Sequence, residues 1–111
     1  MKKLLVALLM IPAMAHAEFW TGNDLYNRMQ STSAMDNVQA YGYVMGVYDV
    51  YVHIVFCPGT ENRITVKQIN DIAQQYLVLN PSLRNKDAYF LIQSAFKNTW
   101  PCANNRGAIR S

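Results

Sequence analysis

Two cysteines and two histidines are all that the 111 residues contain. A transition-metal site needs three or four His, Cys or carboxylate ligands at characteristic spacings, and no such spacing occurs. The chain has no glycine-rich phosphate loop and no Ser/His/Asp or Cys/His arrangement suited to nucleophilic catalysis. Lys and Arg never form a run, which argues against nucleic-acid binding. Asn-Gly and Asp-Gly pairs are absent, and apolar and polar residues never alternate over a strand's length. Both absences disfavour hairpins and sheets. No repeat and no low-complexity tract appears.

What is present begins with an export signal. Met1-Lys2-Lys3 precedes the apolar run Leu4–Met10, which continues through Ile11 and Pro12 to Ala15-His16-Ala17. A basic start, a short apolar stretch and a small-x-small site together define a cleavable signal peptide over residues 1–17. The stretch is shorter than the roughly 20 residues needed to span a bilayer. No cysteine follows the cleavage site, so neither a lipid anchor nor any other stable membrane anchor is expected. Cleavage removes two of the ten basic residues, against seven acidic ones, so much of the basic charge belongs to the leader. The expected location is the periplasm. In an exported chain two cysteines read as a disulfide, Cys57–Cys102. Closing that loop would stabilise the domain by about 4 kcal/mol in the chain-entropy view.

The mature chain reads as all-α, a compact four-helix domain over residues 18–102 followed by a flexible tail, 103–111. A first helix fits Asn23–Gln30, with Thr21 or Asn23 as N-cap. A second, long helix is expected from Asp36 to Phe56, ended by Cys57-Pro58-Gly59. Thr65 and Gln68 form a capping box at the start of the third. Its apolar stripe is Val66, Ile69, Ala73, Tyr76 and Leu77, and Asn80-Pro81 ends it. The fourth fits Lys86–Thr99, with the stripe Ala88, Leu91, Ile92, Ala95 and Phe96. No cofactor is implied.

The second helix is apolar on two sides. Val38, Tyr41, Met45, Val52 and Phe56 lie on one. Tyr43, Val47, Tyr51 and Ile54 lie on the other, and form the candidate dimer face. Such a helix is either central to its own domain or shared with a second subunit. Gly42 and Gly46 each cost about 1 kcal/mol relative to alanine within a helix, which close packing of another helix would offset. Asp49 and His53, four apart, would share a helix face. With no nucleophile to join them, Asp49 reads as a structural carboxylate rather than half of an acid–base dyad. Seven tyrosines suit core edges and protein interfaces alike.

Two polar loops are candidate partner-binding elements. One is Pro58, Gly59, Thr60, Glu61, Asn62 and Arg63, anchored by Cys57. The other runs from Pro81 through Ser82, Leu83, Arg84, Asn85 and Lys86, with Leu83 read as an exposed apolar side chain between polar and basic neighbours. An anchored loop loses less ordering entropy on binding.

These residues, in order, resemble a known family. The series is Gly42-x-x-x-Gly46-x-x-Asp49, Cys57-Pro58, Ile64-Thr65-Val66-x-Gln68-Ile69, Tyr76-Leu77-x-x-x-Pro81, Ala88, Ala95 and Trp100-Pro101-Cys102. It resembles the Rap/Tai family of periplasmic immunity proteins, which protect bacteria from cell-wall amidase toxins delivered by type VI secretion. The resemblance implies a non-enzymatic homodimer whose protruding loop enters the cleft of an amidase. It also implies a fold similar to that of the acid-stress chaperone HdeA. Two further roles stay open on the sequence: a periplasmic chaperone of that kind, and a phage-borne exported modulator of a cell-wall enzyme.

Overall fold

Thr21 opens the first helix. Its hydroxyl accepts from the Asp24 amide at 3.2 Å while the Asp24 carboxylate accepts from the Thr21 amide at 2.9 Å. This reciprocal capping box satisfies two otherwise unpaired amides and starts α1, Gly22–Gln30. In the computed structural model, which describes residues 19–59 and 63–103, three further helices follow. They are α2 (Ala34–Tyr51), α3 (Val66–Leu79) and α4 (Ala88–Thr99), with a 3-10 turn at Pro81–Leu83 before the last. Among the described residues there is no strand, only two isolated bridges. Residues 1–18, which include the expected signal peptide, Thr60, Glu61, Asn62 and residues 104–111, with the expected flexible tail, lie outside the described residues.

The core forms where four apolar stripes meet. Leu25 and Met29 come from α1, Ala40, Val44 and Val47 from α2, and Ile69, Ala73 and Leu77 from α3. Ala88, Leu91, Ile92, Ala95 and Phe96 come from α4. The α4 stripe is buried in full, as its 3–4 spacing predicts. The α3 stripe differs at one end, where Val66 is 59% exposed in the first turn. The expected Thr65–Gln68 capping box is present, with bonds of 3.1 and 2.8 Å.

The long helix ends earlier than its sequence suggests. α2 stops at Tyr51, and Val52 and Phe56 form a parallel bridge across a tight turn. His53 has φ 66° and donates its amide to the Phe56 carbonyl at 2.7 Å. Phe56 is fully buried, with its ring centroid 4.9 Å from Phe96 and 5.4 Å from Tyr48. A helix continued to residue 56 would not turn back as this bridge does. Burial of a large aromatic outweighs continuing a helix through β-branched Val52, Ile54 and Val55. The shared face expected for Asp49 and His53 is lost with it, since His53 lies beyond the helix.

Cys57 and Cys102 are joined. The Cys57 amide donates to the Trp100 carbonyl at 2.8 Å, so the exits of α2 and α4 are held by a covalent and a hydrogen bond together. Trp100 packs tilted at the same place, 5.8 Å from Phe96 and 6.3 Å from Phe56 between centroids.

Candidate interaction surface

The turn between α3 and α4 is built into the body of the domain. The Gly22 amide donates to the Lys86 carbonyl, the Asn23 amide to the Arg84 carbonyl, and the Ala88 amide to the Trp20 carbonyl, each at 2.8 Å. The entry of α1 therefore zips onto the entry of α4. This contact requires Gly22, because a Cβ there would stand 2.5 Å from Leu91 Cδ1 and 3.0 Å from the Arg84 backbone.

Arg84 does not project from this turn as a free cation. Its guanidinium lies 3.7 Å from the centroid of the Tyr26 ring. Its Nε donates to the Leu77 carbonyl at 2.7 Å and one Nη to the Val78 carbonyl. It thereby caps the C-terminal carbonyls of α3 and clamps α1. Leu83, read from sequence as exposed, is half-buried and packs against the core. The 3-10 turn rotates it inward, a reversal that no periodicity in a six-residue loop encodes. Pro81, Ser82, Asn85 and Lys86 remain exposed on a turn whose backbone is fixed.

The Cys57 loop is different. Pro58 is buried, while Gly59 and Arg63 are exposed. Arg63 and Ile64 border a shallow hollow with Gln68, Ile72 and Trp100, beside the disulfide-held corner.

A third feature lies on α2. Tyr43, Val47 and Tyr51, three of the four residues of the second apolar face, come together with Gly42, Gly46 and Val50 in an open groove of about 640 Å³. Ile54, the fourth, is 74% exposed in the turn beyond the helix. Phe19 and Tyr89 form the far wall and meet edge to face at 6.2 Å. Sequence patterning missed both, because they sit at element boundaries where no stripe points. Val47 is itself only 8% exposed, so it forms the groove's floor and part of the core at once. Among the described residues nothing packs on the two glycines: a Cβ on either would meet nothing within 4 Å. The close helix packing expected at Gly42 and Gly46 is therefore not made by any described helix of the chain.

The groove's chemistry is aromatic and uncharged. Trp20 stacks on Tyr43 at 5.0 Å, and Arg28 covers the same indole at 4.4 Å. Burial raises the Tyr43 hydroxyl above its usual pKa, partly offset by a hydrogen bond to the Tyr89 backbone. Burial likewise raises Tyr48, helped by the neighbouring Asp49 carboxylate.

Among the described residues no group of three His, Cys, Asp or Glu could hold a metal ion. No described helix is long and apolar enough to cross a membrane. What the fold offers is a rigid, disulfide-held helical scaffold presenting loops and a groove, an arrangement suited to binding another protein.

The comparison with known families agrees. The chain matches the Rap1a immunity proteins over residues 21–102 and belongs to that family. The match begins at the N-cap of α1 and ends at the second disulfide cysteine, so it spans all four helices. No curated protein matches the chain in sequence.

Proposed function

We propose that this protein is a periplasmic, non-enzymatic immunity protein that acts as a homodimer and blocks the active-site cleft of a peptidoglycan-cleaving amidase toxin delivered by type VI secretion. Membership of the immunity family carries the reading, because an immunity protein exists to bind a toxin. The fixed backbone of the Pro81–Lys86 turn adds to it. Three 2.8 Å backbone bonds hold that segment and its flanks, so little ordering entropy remains to be lost when a cleft closes over it.

The inward turn of Leu83 and Arg84 moves the contact residues to Pro81, Ser82, Asn85 and Lys86. The disulfide-anchored loop supplies the second edge through Gly59 and Arg63. Blocking a cleft needs shape and a few anchors rather than reactive groups.

Co-expression tests the proposal. An amidase toxin from the same genome is directed to the periplasm with and without this protein, and lysis is followed. Protection that disappears when the export signal is deleted supports the reading. Lysis unchanged by the protein, together with no binding of any such amidase in vitro, overturns it.

A further inference from the structure

The chain is tied down from Trp20 onward. The Trp20 carbonyl accepts from the Ala88 amide at 2.8 Å. Its indole stacks on Tyr43 with ring centroids 5.0 Å apart, and the Arg28 guanidinium covers it at 4.4 Å. Arg28 is itself held, by the Asp36 carboxylate at 3.4 Å and the Gln39 amide oxygen at 2.8 Å. Thr21 pairs with Asp87 in an antiparallel bridge, and its amide donates to the Asp24 carboxylate at 2.9 Å. Gly22 and Asn23 continue the contact onto the Lys86 and Arg84 carbonyls. Four consecutive residues are thus bonded into the body of the domain.

The expected cleavage site of the leader, between Ala17 and Glu18, lies just before this clamp. Only Glu18 and Phe19 separate the two, and the Phe19 ring, though 73% exposed, already meets Tyr89 edge to face. From Ala17 to Trp20 a fully extended chain reaches at most about 11 Å, no more than the width of one helix. A peptidase grips an extended stretch on both sides of the bond it cuts. A segment docked in a folded domain is therefore cut only through its opened states.

We infer that leader removal and folding of this domain run in a fixed order. A leader peptidase hydrolyses the Ala17–Glu18 amide, adding water to give the Ala17 carboxylate and the Glu18 ammonium, only while the Trp20–Asn23 segment is undocked from α4. The folded precursor resists it. This rests on the export reading above and adds to it a step that the fold imposes. A chain that closes first keeps its apolar Leu4–Ile11 run and is not released as the mature domain.

The test is cleavage of the purified, oxidised full-length precursor in detergent by a bacterial leader peptidase, followed by intact mass. A synthetic peptide of residues 8–24 sets the intrinsic rate. The folded precursor should be cut about 100-fold more slowly than the peptide. A spacer of about six Gly/Ser residues between Glu18 and Phe19 lets the bond stand up to about 20 Å further from the clamp. It should bring the rate close to that of the peptide with no fall in melting temperature. Trp20→Ala, which takes the indole from Tyr43 and Arg28, should raise the rate about tenfold through easier local opening. A peptide left uncut between Ala17 and Glu18 overturns the export reading and this inference together. A peptide cut there, with the folded precursor cut as fast, overturns the fixed order alone. A spacer variant as resistant as the wild type also overturns it, because the resistance then does not come from the nearness of the clamp.

Discussion

The Arg84 guanidinium sits 3.7 Å from the centroid of the Tyr26 ring and also donates to the Leu77 carbonyl at 2.7 Å. One side chain thus closes the C-terminus of α3 and presses on α1. A charged donor on a helix's last carbonyls is favourable both as a hydrogen bond and against the helix dipole, and the aromatic face adds a cation–π term.

Arg84→Ala should therefore destabilise the domain by about 2 kcal/mol. Arg84→Lys should recover only part, since an ammonium cannot stack on the ring and donate along the guanidinium plane together. Lys86→Ala, two residues away and exposed, should change stability by less than about 0.5 kcal/mol. Urea denaturation of the three variants checks the ordering. Equal losses at Arg84 and Lys86 would refute the clamp.

The contrast between these two cations shows what the sequence could and could not reveal. The stripes of α3 and α4 and the Thr65–Gln68 cap were legible because they are local and periodic. The disulfide was legible from two cysteines in a chain that reads as exported. Arg84 and Leu83 were misplaced because their orientation is set by backbone bonds to Gly22 and Asn23, some sixty residues earlier in the chain. The early end of α2 was hidden for a similar reason. Its cause, the pull of Phe56 into the aromatic cluster with Phe96, is a long-range contact that a breaker at Pro58 only hints at. The groove was half legible: Tyr43, Val47 and Tyr51 fell on one face by helical spacing, while Phe19 and Tyr89 arrive from other elements.

Glycines at different sites should respond in opposite directions. At Gly42 an added methyl meets nothing within 4 Å, so Gly42→Ala should stabilise the monomer by about 1 kcal/mol through helix propensity. At Gly22 the same methyl would collide with Leu91 and the Arg84 backbone. Gly22→Ala should cost about 1–3 kcal/mol, as overpacking usually does. Thermal melts at protein concentrations low enough to exclude association compare the two directly. Stabilisation by both substitutions would mean that α1 and the α3–α4 turn are not in close contact.

Cys57→Ser should destabilise by about 2–5 kcal/mol. The bridge closes a loop whose ends are 45 residues apart in sequence and which contains all of α3, so its removal frees a large unfolded ensemble. The denaturation midpoint of the variant, compared with that of wild type under reducing conditions, checks this. The two should coincide, and a wild type unaffected by reductant would refute it.

Alkali should weaken the fold through two half-buried phenols, Tyr43 and Tyr48. The folded-state pKa values of Tyr43 and Tyr48 are raised above the unfolded value, chiefly by burial. A group whose folded pKa is raised holds its proton more tightly in the native state. Below the unfolded tyrosine pKa of about 10 both states are protonated and stability does not depend on these groups. Above it the unfolded chain binds fewer protons than the native one, so stability falls with rising pH until the folded pKa values are passed. Urea midpoints should therefore be level from pH 8 to about 9.5 and decline above about 10. Tyr48→Phe should flatten the decline while retaining the ring that packs against Phe56 and Phe96. A decline equally steep in that variant and in Tyr43→Phe would assign the alkaline loss to other groups, with the exposed Lys67–Asp71 pair the next to be neutralised by mutation.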